Sequence, residues 1–126
     1  MPSNMKEVQS FMDGHSLASF VTVSLENAPH VVPVFFTYED GKVYVQTGRN
    51  SVKVRNLLKN TNVAVAVYSD QEAVIIKGKG RIIEDDKDFV KRTEDHISKY
   101  RLKLDKQGRD SVEYPCLTKR SVVLLK

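Results

Sequence analysis

The sequence predicts a mainly β fold, a six-stranded antiparallel barrel flanked by short helices. Three observations lead there. Alternating, β-branched runs recur at 20–25, 30–38, 42–47, 62–68, 73–84 and 120–125. Most of the gaps between them are turn-length, so sequence neighbours pair antiparallel. Helical periodicity is confined to three short stretches, too little to cover the sheet edges, so the sheet is expected to close on itself.

Each element has its own signal. Met5, Val8, Phe11 and Met12 recur at helical spacing over 4–13, and Asp13-Gly14 ends that helix. The strand from Phe20 to Leu25 gives way to a turn at Glu26-Asn27-Ala28-Pro29. His30 to Tyr38 is apolar at nearly every position, which predicts a strand covered on both faces. Asp40-Gly41 is a hairpin signal, because both central positions of a type I′ turn need positive φ. A helix follows over 51–59, capped by Asn50 or Ser51, with Val54, Leu57 and Leu58 on its buried face. In the strand 73–84, Gly78 and Gly80 share a face, predicting a bulge or a close approach by another group. Residues 86–101 form a helix capped by Asp85 or Asp86 that buries Phe89, Val90, Thr93, Ile97 and Tyr100, leaving His96 at the surface. Residues 102–117 show no regular pattern.

The chain has 126 residues, 40% of them hydrophobic, spread along its whole length, which predicts a single domain over 1–126. No run approaches the roughly 18 apolar residues of a membrane span, and residues 1–16 carry no apolar signal core, so a cytoplasmic protein is expected. One cysteine, Cys116, excludes an internal disulfide, and His15, His30 and His96 have no metal-ligand spacing, so no metal is expected. The net charge of +4 is interspersed, and the basic stretch from Lys99 through Arg101, Lys103 and Lys106 to Arg109 is broken by Asp105. Neither that balance nor the aromatic content supports nucleic-acid binding.

The stretch Thr47-Gly48-Arg49-Asn50-Ser51-Val52-Lys53 joins a strand to a helix start. The first N–H groups of a helix lack intrahelical partners, and the helix dipole adds partial positive charge there, so such a junction attracts anions. Two hydroxyls, a glycine and the cations Arg49 and Lys53 are added to it, and the stretch reads as the phosphate cradle of a nucleotide cofactor. A lysine in the first helical turn opposes the dipole unless an anion lies between them. Arg55, two residues on, points away and is expected in an ion pair or a subunit contact. Pro33 inside an apolar strand marks an edge or a bulge.

Four segments in order resemble the FMN-binding split-barrel superfamily, which holds pyridoxamine 5'-phosphate oxidase and the flavin/deazaflavin oxidoreductases. They are Phe20-Val21-Thr22-Val23-Ser24 with Pro29 to Phe36, Asp40 to Val45, Thr47 to Leu57 with Asn60-Thr61-Asn62-Val63-Ala64, and Val74 to Asp85. The third is similar to a T-x-x-x-S-x-K-x-R-N-L loop and helix followed by N-P-x-V-A, with Thr61 in place of proline. The chain is shorter than pyridoxamine phosphate oxidases, which sets that particular substrate aside. The resemblance implies a six-stranded split barrel of Greek-key-like order and a homodimer with the cofactor at its interface. It implies FMN, with F420 or haem as alternatives. It places the phosphate on Thr47, Gly48, Ser51 and Lys53 and the flavin ring along the main chain of Val32, Pro33 and Val34. The expected function is hydride or electron transfer through the flavin to a small molecule; the alternatives are a non-enzymatic flavin or haem binder and an F420-dependent reductase. The cofactor carries that chemistry, and no side chain is singled out as catalytic.

Overall fold

The structure, a computed structural model, describes residues 4–48, 51–106 and 120–125. Arg49, Asn50, Cys116 and the rest of the stretch 107–119 lie outside the described residues. The elements run α1 (Met5–Asp13), β1 (Leu17–Val23), β2 (Pro29–Glu39), β3 (Lys42–Gly48), α2 (Val52–Lys59), β4 (Asn62–Tyr68), β5 (Ala73–Ile83), α3 (Asp86–Lys106) and β6 (Arg120–Leu125).

β1 to β5 are antiparallel and lie in the order β3-β2-β1-β4-β5, a sheet curled into a half-barrel. β6 pairs with β3 and with β5, Val123 standing opposite Val45 on one side and Ile82 on the other. Inward-facing Phe20, Phe36, Val43, Val45, Val65 and Val67 are fully buried or nearly so. Each contributes about 1.5–3 kcal/mol by leaving water. α1 adds Met12 to this core near the start of β1, and α2 adds Leu57 near its far end.

Local chemistry accounts for the junctions. Asn4 caps α1 by accepting from Glu7 N at 2.8 Å, Ser51 caps α2, and Asp85 accepts from Asp88 N at 3.0 Å at the start of α3. Asp40 and Gly41 both have positive φ, 51° and 79°, as a type I′ hairpin requires.

β2 belongs to two ladders in succession. Residues 29–35 pair with β1 from Val23↔Pro29 to Leu17↔Phe35, and pairing with β3 begins at Phe36↔Val45. At that switch the backbone of buried Phe36 is held by α3. Tyr100 Oη accepts from Phe36 N at 2.8 Å, and Lys99 Nζ donates to Phe36 O at 3.0 Å and to Met12 O at 3.2 Å.

Several expectations are corrected. β1 spans 17–23 rather than 20–25, because Ser24 already belongs to the turn, accepting from Asn27 N. β2 is not covered on both faces along its whole length: Val31 is 64% and Phe35 47% exposed, since α3 packs on the outer face towards the far end of β2 and on β3, where Thr37 and Tyr44 are buried, and leaves the first part of β2 open among the described residues. Leu58 is 71% exposed, because α2 turns only Val54 and Leu57 fully inward. Val90 is exposed at 52%, and His96 is buried instead, with its ring 4.6 Å from that of Tyr100. α3 continues to Lys106, so 102–106 are helical rather than irregular. The ladders of Pro33 and Gly78 run without interruption, so neither marks a bulge. Gly80 instead makes a close approach, since a Cβ there would lie 3.1 Å from Leu57 Cδ1.

Candidate functional site

The site expected from sequence maps onto the place where β2 and β3 part. Their ladder covers Phe36 to Glu39, and beyond Val45 the partner of β3 is β6. Continued past the split, the same register sets Thr47 at the level of Val34 and Gly48 at that of Pro33. Residues 32–34 of β2 and Thr47 and Gly48 of β3 therefore lie at matching levels on either side of the split.

On the β2 side, residues 29–35 have a strand neighbour on one edge, β1. In an antiparallel strand alternate residues turn N–H and C=O to opposite sides, so this stretch has main-chain polar groups on the side away from β1 that no strand among the described residues pairs. Pro33, which has no N–H, is tolerated on such an edge. Val34 is buried, Val32 half-buried, and Pro33 exposed.

On the β3 side, Thr47 is buried and its Oγ1 lies 3.2 Å from Ser51 Oγ. Ser51 N donates to Gly48 O at 3.2 Å, which folds the loop so that both hydroxyls meet at the start of α2. Ser51 Oγ accepts from Val54 N at 3.4 Å, a long cap bond. Gly48 is exposed, and a Cβ there would meet nothing within 4 Å, so its surface is open to an approaching group. Lys53 is half-buried in the first turn of α2, which contains no acidic residue. Arg55 is exposed and makes no ion pair among the described residues.

Two further residues gain importance: His30, which sequence reasoning weighs as facing a cofactor but favours as a satisfied structural residue, and Gln46, which it does not single out. His30 Nδ1 is buried with no hydrogen-bond partner. His30 stands opposite Thr22, whose hydroxyl accepts from Asn56 Nδ2 of α2 at 3.0 Å, so an orphaned polar atom lies beside the strand that anchors α2. Its position on the inward face, two residues before Val32, was the available signal. Gln46, just before the cradle, donates to Thr93 Oγ1 of α3 at 2.6 Å and ties β3 to that helix. Among the described residues the donor set suits an anion with polar groups attached: hydroxyls, a helix start, the cation of Lys53 and a strand edge that no other strand pairs. Among the described residues no three His, Cys, Asp or Glu side chains gather as a metal site, and no helix is long and apolar enough to cross a membrane.

A family profile described as pyridoxamine 5'-phosphate oxidase matches residues 5–120. The chain belongs to this family. Solved structures of similar shape include a conserved hypothetical protein of Mycobacterium tuberculosis, at 18% identity and TM-score 0.79, covering 98% of this chain and 80% of that one. A haem storage protein of Vibrio cholerae matches at 14% identity and TM-score 0.74, covering 97% and 88%. An F420 reductase matches at 16% identity and TM-score 0.71, covering 94% and 90%. At these identities the likeness is one of fold. No curated protein matches the chain.

Proposed function

We propose that this chain is an FMN-binding oxidoreductase, a single-domain homodimer acting in the cytoplasm, built as a six-stranded split barrel of Greek-key-like order. The observation that supports the reading is the Thr47–Ser51 hydroxyl pair at the start of α2, beside a stretch of β2 that pairs only with β1 among the described residues. Thr47, Ser51 and Lys53 would hold the phosphate, Gly48 would let it reach the backbone, and the main chain of Val32, Pro33 and Val34 would orient the ring. The bound flavin would supply two-electron transfer to a small molecule, while the protein supplies position and electrostatics. His30 would give its orphaned Nδ1 to a polar group of the ligand. The exposed apolar residues Leu17, Val31, Phe35, Tyr68 and Ile75 support a second copy as partner, since they lie on neighbouring strands of one outer sheet face.

A second reading keeps the cleft and changes its occupant. The similar structures include an F420 reductase and a haem storage protein, which favours F420 or haem, with or without turnover, as the alternative. The test is the absorbance spectrum of purified protein after FMN loading and gel filtration. Flavin bands that stay with the protein support the proposal. A protein that stays colourless with FMN but retains F420 or haem replaces it.

A further inference from the structure

The ladder between β1 and β2 stops at Leu17 opposite Phe35, so its next rung would join Ser16 to Phe36. Those two residues do not pair. Tyr100 Oη of α3 lies between them instead, accepting from Phe36 N at 2.8 Å and reaching Ser16 O at 2.9 Å. One side-chain hydroxyl thus stands in for the missing rung, and the two strands part around it. Lys99 takes the other polar group of the same residue, its Nζ donating to Phe36 O at 3.0 Å and to Met12 O at 3.2 Å. Phe36 is fully buried and Tyr100 nearly so, which shields this wedge from water.

Phe36 is also the residue at which β2 takes up β3, opposite Val45. Both of its main-chain polar groups are therefore held by α3 where the strand changes partners. Residues 29–35, just before it, have β1 on one edge and no strand among the described residues on the other. How that open edge stands towards Thr47 and Gly48 depends on the bend of β2 at Phe36. Val32, Pro33 and Val34 lie within one turn of chain of that bend.

We infer that Tyr100, supported by Lys99, is a positioning residue for the flavin ring. It acts through Phe36, fixing the level and tilt of the 32–34 main chain against β3. The inference rests on the reading of this split as the FMN site and adds to it a residue of α3, outside both the strand edge and the cradle. Ser51 and Lys53 would grip the phosphate alone. The wedge sets the ring's seat, so its loss should weaken flavins with and without a phosphate to the same degree.

The test compares Tyr100→Phe and Lys99→Met with Arg92→Ala, which loosens α3 at Tyr44 and leaves the wedge in place. Its first arm needs no ligand. Amide hydrogen exchange in the full chain should quicken between Val31 and Phe35 in Tyr100→Phe by at least about tenfold more than elsewhere in the barrel. Arg92→Ala should show no such local change. In the second arm, fluorescence titration should find FMN and riboflavin both about tenfold weaker in Tyr100→Phe and Lys99→Met. The ratio of the two affinities should stay at the parent value, and the visible circular dichroism of bound flavin should change. Arg92→Ala should keep the parent affinities and spectrum. If Tyr100→Phe does not fold, Lys99→Met carries both arms. The inference is overturned by exchange that rises evenly over the barrel, by parent-like flavin affinities in the wedge variants, by a loss confined to FMN, or by an equal loss in Arg92→Ala. A parent that binds neither flavin overturns the FMN reading instead, and the exchange arm then still decides whether Tyr100 sets the edge.

Discussion

Tyr100→Phe tests how the split in the barrel is stabilised. Where β2 leaves β1 for β3, the N–H of Phe36 donates to Tyr100 Oη at 2.8 Å, and that hydroxyl in turn lies 2.9 Å from Ser16 O. Phe36 is fully buried and Tyr100 nearly so, so water does not readily replace the lost oxygen. The substitution keeps the ring, its edge contact with Phe35 at 5.1 Å and its packing on His96. The change leaves the buried Phe36 N–H unpaired and also removes the hydroxyl's own donation to Ser16 O and Phe36 O, together costing about 2 kcal/mol. For a chain of this size that corresponds to a Tm lower by about 8 °C. Lys99 still holds Phe36 O, so the switch point loosens without losing its second anchor. Urea and thermal unfolding of the two proteins measure the difference. A Tyr100→Phe variant within about 0.5 kcal/mol of the parent would refute the account of α3 as the clamp on the split.

Other outcomes follow from the same geometry. Gly80→Ala should destabilise by about 1 kcal/mol in chemical denaturation, since its Cβ would stand 3.1 Å and 3.2 Å from the Leu57 methyls and 3.2 Å from Val63 Cγ1, and all three must shift. Arg92→Ala should cost about 1–2 kcal/mol, measured at low and high salt. It removes the guanidinium 4.0 Å from the Tyr44 ring centroid and the ion pairs to Glu39 at 3.1 Å and Asp88 at 3.3 Å, and the part due to packing on Tyr44 should survive added salt. Burial raises the Tyr44 phenol above its ordinary value of 10.0, partly offset by Arg92. Its contribution to stability is therefore complete below the unfolded value and is lost as pH rises through the higher folded one. Tyr44→Phe should accordingly shrink the fall in Tm above about pH 10. Tyr38, raised by burial in the same way, should retain the remainder.

The parts of the fold legible in sequence are those fixed by near neighbours. Asp40-Gly41 announced its hairpin because backbone sterics at two residues decide it. Ser51 announced the start of α2 because a cap acts over three residues. Strands β3 and β4 follow their alternation directly. What stayed hidden depends on distant partners. The capture of Phe36 by Lys99 and Tyr100 joins residues 63 and 64 positions apart, and no local pattern encodes it. The burial of His96 follows from that docking, because a helix face is polar or apolar only with respect to what it packs against. The continuous apolar run of β2 misled for a related reason: Val31 and Phe35 are apolar yet exposed, and a sequence does not say whether such a face is covered by its own chain or by another. Of the expected site, the Ser51 cap that starts α2 was readable locally, whereas the level of residues 32–34 against Thr47 and Gly48 required the register of β2 against β3.

The central claim is that the Thr47–Ser51 cradle holds a cofactor phosphate, and the most direct measurement compares FMN with riboflavin, which lacks it. Fluorescence titration gives both dissociation constants for the parent chain, Ser51→Ala and Lys53→Ala. The account predicts that the parent prefers FMN by at least about 2 kcal/mol, that either substitution removes most of the preference, and that riboflavin affinity stays nearly constant. Equal affinity for the two flavins in the parent, or an FMN preference that survives both substitutions, would contradict it.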